Sequence, residues 1–275
     1  MPQFTVYIRR FFYSLTMIHN FILWIYHFKD LKKIVPMLNF KEIKLILRIF
    51  ASAKYSKEYV EFLVFLLKFL PKNYSSDYQD IFVCWYLSKL NKSFSDLFFF
   101  DIGAYDGITK SNTYLIELQG GTGVLVEPNW HFSDQLKRDR VSIIEMVGLV
   151  IDQNSDKYNL FFDHKYSQES KLLLSTNQVN QSSIEVKTLT VKEIFEKYKD
   201  NFRNKTLYVS IDIEGNDLLI LKNIFQIGIL PDVITIEHNH HKLVKNEIKK
   251  LGKNYGYKIF FKNFFRNEFA LVRVQ

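Results

Sequence analysis

Asp101, Gly103, Asp106 and Gly107 follow the apolar residues 97–100, and Glu127 closes a second apolar run at 124–126. An apolar run that breaks into Asp and Gly before Ser111 predicts strand, turn and helix, with 124–126 as the next strand. Gly103 and Gly107 admit positive φ and close backbone approach. The new helix adds unpaired N–H groups, so main chain can hold a polar group of a ligand at this turn. Glu127 lies 26 residues after Asp101, where a strand-end carboxylate accepts both hydroxyls of a ribose. A nucleotide-like ligand fits this pairing; the competing reading is a tight strand-to-helix turn that binds nothing.

The turn lacks both G-x-G-x-x-G and G-x-x-x-x-G-K-[ST], so the glycine spacing that wraps backbone around a pyrophosphate is missing. That disfavours a dinucleotide or a nucleoside triphosphate, and with them a dehydrogenase. Asp101 and Asp106 would repel phosphate oxygens and attract an ammonium or sulfonium. S-adenosylmethionine has that shape. A second string, at 207–224, predicts a strand ending in Asp212 and Glu214 on one face, then Gly215 and an amphipathic helix. A third, from Asp232, predicts a strand whose end carries Glu237, His238 and Asn239. Ligands of open parallel sheets sit beyond the carboxyl ends of the strands, so Asp101, Glu127, Asp212, Glu214, Glu237 and His238 should converge on one crevice.

On these blocks the chain resembles the FkbM family of S-adenosylmethionine-dependent methyltransferases. They are DIGAYDG with SNTY after it, LVEPN at 125–129, SIDIEGNDLLILKNI at 210–224 and IEHN at 236–239, in the family's order. The resemblance covers residues 97–275 and implies a Rossmann-like class I methyltransferase fold. It also implies O-methylation of sugars, polyketides or other hydroxylated molecules, with the cofactor held by Asp101, Gly103, Asp106 and Glu127. Ala104, Gly107, Asn112, Thr113 and Asn129 complete the expected cofactor set. Tyr105 stands where the family often has Asn, and Asp217 where it often has Glu; either swap alters local hydrogen bonding without removing a required group.

Methyl transfer from a sulfonium needs the acceptor oxygen in line with the methyl, so positioning supplies much of the rate and a base takes the hydroxyl proton. Asp212 and His238 are the candidate bases, with Glu214 raising the pKa of Asp212 by like-charge repulsion. The pair Asp212 and Glu214 also suits a divalent cation such as Mg²⁺, or a structural role capping the next helix. His238, His240 and His241 lack the spacing of a zinc site and read as exposed loop histidines.

The elements that position these residues follow the alternation of strand and helix patterns. Strands are expected at 97–104, 123–127 and 141–147, then 207–213 and 233–237, with helices at 111–118 and 131–139. Residues 158–163 and 184–189 read as added strands separated by the polar stretch 175–183, a lid or an ordinary loop. Thr190 should cap a helix at 191–198 with Glu193 in a capping box. Residues 257–264 and 269–274 read as a hairpin around 266–268. The expected whole is an α/β class I methyltransferase sheet, mostly parallel and seven-stranded, with a C-terminal antiparallel hairpin and a helical N-terminal segment before it.

With 275 residues and 47% hydrophobic content, one catalytic domain plus an addition is expected, and disorder is excluded. The boundary is drawn between 1–95 and 96–275 on charge. The first part holds 14 Lys or Arg against 6 Asp or Glu, the second 23 of each, so the whole net charge of +8 lies in 1–95. Residues 11–28 carry no formal charge and as a helix would span about 27 Å, just short of a bilayer core. His19, Asn20 and His27 interrupt them, and Arg9, Arg10, Lys29, Lys32 and Lys33 flank them. Lying on an anionic surface fits this better than spanning one; packing on the catalytic domain or a partner subunit is the other reading. No nucleic-acid module spacing occurs. The single Cys84 excludes an internal disulfide, fits a reducing compartment, and makes the cytosol the expected location, with peripheral contact to the inner face of a membrane through 1–95. Expected partners are therefore a small-molecule or glycan substrate and that membrane surface. The alternative function is a catalytically silent methyltransferase-fold protein that docks on a membrane or partner; the presence of Asp101, Glu127 and Asp212 weighs against it.

Overall fold

The computed structural model describes residues 58, 61–62, 65–66, 72–151, 158–162, 170–174, 183–213, 215–238, 241–260 and 267–274. The expectations for 11–28, for 175–182, and for Glu214, Asn239 and His240 lie outside these. The chain divides into two compact units, Met1–Pro71 and Lys72–Gln275. Helix α1, Gln79–Lys89, belongs to the second unit. In the first unit the described residues are helical. Among the described residues no helix is long and apolar enough to cross a membrane.

The second unit then runs β1 (Leu97–Ile102), α2 (Tyr114–Leu118), β2 (Thr122–Val126), α3 (Ser133–Asp139), β3 (Ile143–Glu145) and β4 (Gly148–Val150). Strands β5 (Tyr158–Phe162), β6 (Ser170–Leu174), β7 (Ser183–Val186) and β8 (Thr188–Thr190) lead to helices α4 (Val191–Lys197) and α5 (Lys199–Phe202). The last part is β9 (Thr206–Ile211), α6 (Asp217–Gln226), β10 (Val233–Glu237), α7 (Lys242–Asn254), β11 (Tyr257–Phe260) and β12 (Glu268–Arg273). Seven strands form one sheet in the order β11-β12-β10-β9-β1-β2-β3. From β10 to β3 the neighbours pair in parallel, and β12 is antiparallel to both β10 and β11. This is the expected mixed α/β sheet with its antiparallel C-terminal pair.

The central strands β1 and β9 are buried at every position, as continuous apolar runs in a parallel sheet require. Phe98, Phe100 and Ile102 join one core with Val191, Ile194 and Phe195 of α4 and Ile220, Leu221 and Ile224 of α6. Phe100 packs at 4.3 Å from Phe195. Thr190 accepts a hydrogen bond from the Glu193 N–H at 3.1 Å, and Glu193 accepts one from the Thr190 N–H at 2.7 Å, the reciprocal cap expected there.

Several boundaries differ from the sequence reading. Residues 141–147 were expected as one strand, but β3 stops at Glu145 and the chain leaves the sheet as β4, which pairs with β8. Residues 184–189 likewise divide, β7 pairing with β5 and β8 with β4, because the Lys187 carbonyl between them accepts from the Gly148 N–H at 2.8 Å. Strand β9 ends at Ile211 instead of Ile213. Glu268, read as part of the connection, opens β12 opposite Glu237.

Candidate active site

The turn after β1 lies between the ends of β2 and β9. Gly103 and Ala104 donate their N–H groups to the Val126 carbonyl at 2.9 and 3.2 Å. Gly103 has φ +94°, and a Cβ there would stand 1.8 Å from the Asp212 carbonyl oxygen. Only glycine lets the turn press against the end of β9. Gly107, at φ +83°, is confined in the same way by Leu136 of α3 and by Arg140. Tyr105 and Lys110 also have positive φ, 51° and 57°, a conformation that costs a side-chain-bearing residue about 1–2 kcal/mol. Asn tolerates that region better than Tyr, which gives the family's usual Asn a local reason. Here the Tyr105 ring packs edge-on against Phe132 at 4.5 Å.

Glu127 holds this strained turn to the end of β2. Its two carboxylate oxygens accept from the Tyr105 and Asn129 N–H groups, both at 2.8 Å. Each oxygen keeps a further lone pair for a hydroxyl donor. Burial pushes the Glu127 carboxyl up to about 7, against the two N–H bonds that favour the charged form; the nearby Asp101 charge adds to the rise. Asn129 is fully buried and accepts from the His131 N–H at 3.2 Å.

The other expected cofactor residues are tied into the scaffold. Asp101 is buried and accepts from the Thr113 hydroxyl at 2.6 Å, with Ser210 as a second hydroxyl partner. Burial raises its carboxyl above the usual range, and the Arg140 charge is the strongest opposing influence. Asn112 donates to the Ser210 hydroxyl oxygen at 3.0 Å. Asp106 turns inward, accepting from the Ile108 and Thr109 N–H groups at 2.9 and 2.7 Å and from the Thr109 hydroxyl at 2.6 Å. Its carboxylate therefore shapes the turn.

Beyond the ends of β9 and β10, the Asp212, Asp217 and Glu237 carboxylates each bring an oxygen within 4.8 Å of the others. Among the described residues the carboxylates nearest Asp212 thus come from the start of α6 and the end of β10; the expected same-face neighbour Glu214 lies outside the described residues. Asp217 accepts from the Ile213 and Gly215 N–H groups at 2.9 and 3.0 Å, closing the turn that ends β9. Glu268 sits opposite Glu237 in the ladder, and burial, then the charges of Asp212, Asp77 and Glu237, push its carboxyl well above the usual range. His238 is buried, unlike the exposed loop histidine expected. Its ring lies edge-on to Phe269 at 4.5 Å, and its backbone N–H donates to the Asn267 carbonyl at 2.7 Å.

Arg140 and Glu117 are site residues that sequence reasoning missed. Both side chains are buried and paired at 2.9 Å. Glu117 also accepts from the Ser142 N–H at 2.9 Å and from the Ser142 hydroxyl. In the run KRDR nothing separates Arg140 from Arg138, which is exposed and pairs with Asp139, except helical phase. Arg140 follows the fully buried Leu136 by four residues and so shares its face.

Residues 101–259 match the sequence model described as the methyltransferase FkbM domain. Among curated proteins and among solved structures, none matches the chain.

Proposed function

Because this chain belongs to the FkbM methyltransferase-domain family, we propose that it is an S-adenosylmethionine-dependent O-methyltransferase acting on a hydroxyl of a sugar, glycan or related small molecule. The observation that carries the reading is the glycine turn after β1, clasped through the Tyr105 N–H by the Glu127 carboxylate at 2.8 Å. A strand-end carboxylate fixed beside such a turn is the arrangement that receives a ribose. S-adenosylmethionine, when bound, supplies an activated methyl on a positively charged sulfur. Glu127 accepts the two ribose hydroxyls, and the acidic surroundings favour the cationic end.

Asp212, at the end of β9 and in backbone contact with Gly103, stands between the cofactor turn and the carboxylates of Asp217 and Glu237. It would accept the proton of the acceptor hydroxyl, whose oxygen would receive the methyl that the bound cofactor supplies. His238, packed on Phe269, is the reserve candidate. Calorimetry with S-adenosylmethionine and its demethylated product tests the cofactor reading, and absence of binding at about millimolar concentration overturns it. Labelled cofactor with extracts of the cell envelope then identifies the acceptor.

The net charge of +8 in residues 1–95 supports a second part to the proposal, peripheral contact with an anionic membrane. Each Lys or Arg near such a surface contributes up to about 1 kcal/mol. Flotation with anionic liposomes should lose the protein at high salt, and binding equal to that on neutral liposomes refutes it.

A further inference from the structure

Between 103 and 110, four residues hold positive φ, two of them non-glycine. A turn of that kind persists only where its surroundings over-determine it. From the β2 side the restraint is Glu127; from the α3 side it is a single guanidinium. Arg140, at the end of α3, donates to the Gly107 carbonyl at 2.7 Å, to the Thr113 hydroxyl oxygen at 3.0 Å and to Glu117 at 2.9 Å. The Thr113 hydroxyl passes the link on, donating to Asp101 at 2.6 Å. One cation thus joins the middle of the turn, the start and body of α2 and the end of β1. Its stem packs where a Gly107 side chain would be, the Arg140 Cγ lying 3.0 Å from the point a Cβ would occupy.

A fully buried charge is a poor source of net stability, since desolvation offsets most of its attraction. Three donors aimed in fixed directions do restrict geometry, and a guanidinium alone among side chains offers that fork. We propose that Arg140 is a positioning residue for cofactor binding, setting the shape of the 103–113 turn and, through the Thr113 hydroxyl, the placement of the Asp101 carboxylate. The inference rests on the cofactor reading above for its ligand, but its geometric part stands on the turn alone.

The test uses Arg140→Lys, which keeps the charge and loses the fork, and Thr113→Val against Thr113→Ser, which differ in the hydroxyl. Thr113→Val covers the case in which Arg140→Lys does not fold. Affinity for the demethylated cofactor should fall about tenfold or more in Arg140→Lys and Thr113→Val, and stay within about threefold of wild type in Thr113→Ser. Amide exchange at 103–113 should accelerate in the first two and not in the third. A merely structural role would lower thermal stability in Thr113→Val while leaving cofactor affinity in the folded variant unchanged. Wild-type affinity in a folded Thr113→Val, or unchanged exchange in the turn, overturns the inference. Should the wild type bind neither form of the cofactor, the function reading fails, and the exchange data by themselves decide whether Arg140 positions the turn.

Discussion

Titrating Glu127 should change cofactor affinity in a direction and over a pH range that the structure fixes. Burial raises its carboxyl to about 7, whereas two ribose hydroxyls donate more strongly to the charged form, which has no proton of its own in the way. Binding therefore favours ionisation and should release about half a proton at pH 7. The ionised fraction falls from about nine-tenths at pH 8 to about one-tenth at pH 6, so affinity should drop about tenfold, or about 1.4 kcal/mol. The free protein moves the other way. A carboxyl whose pKa is higher folded than unfolded contributes stability that is fully present below about 4.5 and lost as pH rises through about 7. The melting shift produced by cofactor should hence grow from pH 6 to pH 8. Calorimetry with the demethylated cofactor in two buffers of different ionisation enthalpy measures affinity and proton release together. Asp101 also has a raised pKa, so Glu127→Gln is the control that removes only the titration at issue. Flat wild-type affinity across this range, or the same slope in Glu127→Gln, would refute the assignment.

Asp212→Asn should cut turnover by about 100-fold or more while leaving cofactor affinity almost intact; near-normal turnover would transfer the base role to His238. Activity surviving exhaustive chelation is the expected result for a protonic base at Asp212, and loss restored by Mg²⁺ would convert the three neighbouring carboxylates into a metal site. Gly103→Ala places a carbon 1.8 Å from the Asp212 carbonyl oxygen, so it should lower stability by about 2 kcal/mol or more, read as a melting shift together with lost cofactor binding. Thr190→Ala removes a capping box that involves none of the candidate site residues and should cost about 1 kcal/mol, with kcat/KM unchanged.

The parts of the fold legible in the sequence are those whose signal is local. Parallel strands buried at nearly every position leave apolar runs, so the strands expected at 97–104, 123–127, 207–213 and 233–237 correspond to β1, β2, β9 and β10. The Thr190 cap depends on residues three apart. What failed depends on partners distant in sequence. Nothing in 141–147 shows that β4 leaves the main sheet, since its partner β8 begins at Thr188. The strand expected to run to Ile213 stops at Ile211, where Asp217, four residues beyond Ile213, reaches back to the Ile213 and Gly215 amides. Glycine at 103 was legible as a turn requirement. Its stronger reason, the approach of Asp212, needs the register of β1 against β9.

That contact also bears on how the two halves of the site act together. The Asp212 N–H donates to the Ile102 carbonyl at 3.0 Å, and its own carbonyl lies against Gly103, so the candidate base and the cofactor turn share one piece of backbone. On the far side of the turn, Arg140 and Glu127 hold Gly107 and Tyr105 from opposite directions. The turn and the main chain that carries Asp212 are therefore held against each other. Methyl transfer tolerates little error in the line from sulfur through methyl to acceptor oxygen. Rigid coupling of the groups at either end of that line serves the reaction better than independent placement of each, and accounts for strained backbone and a buried cation at a place where neither adds stability.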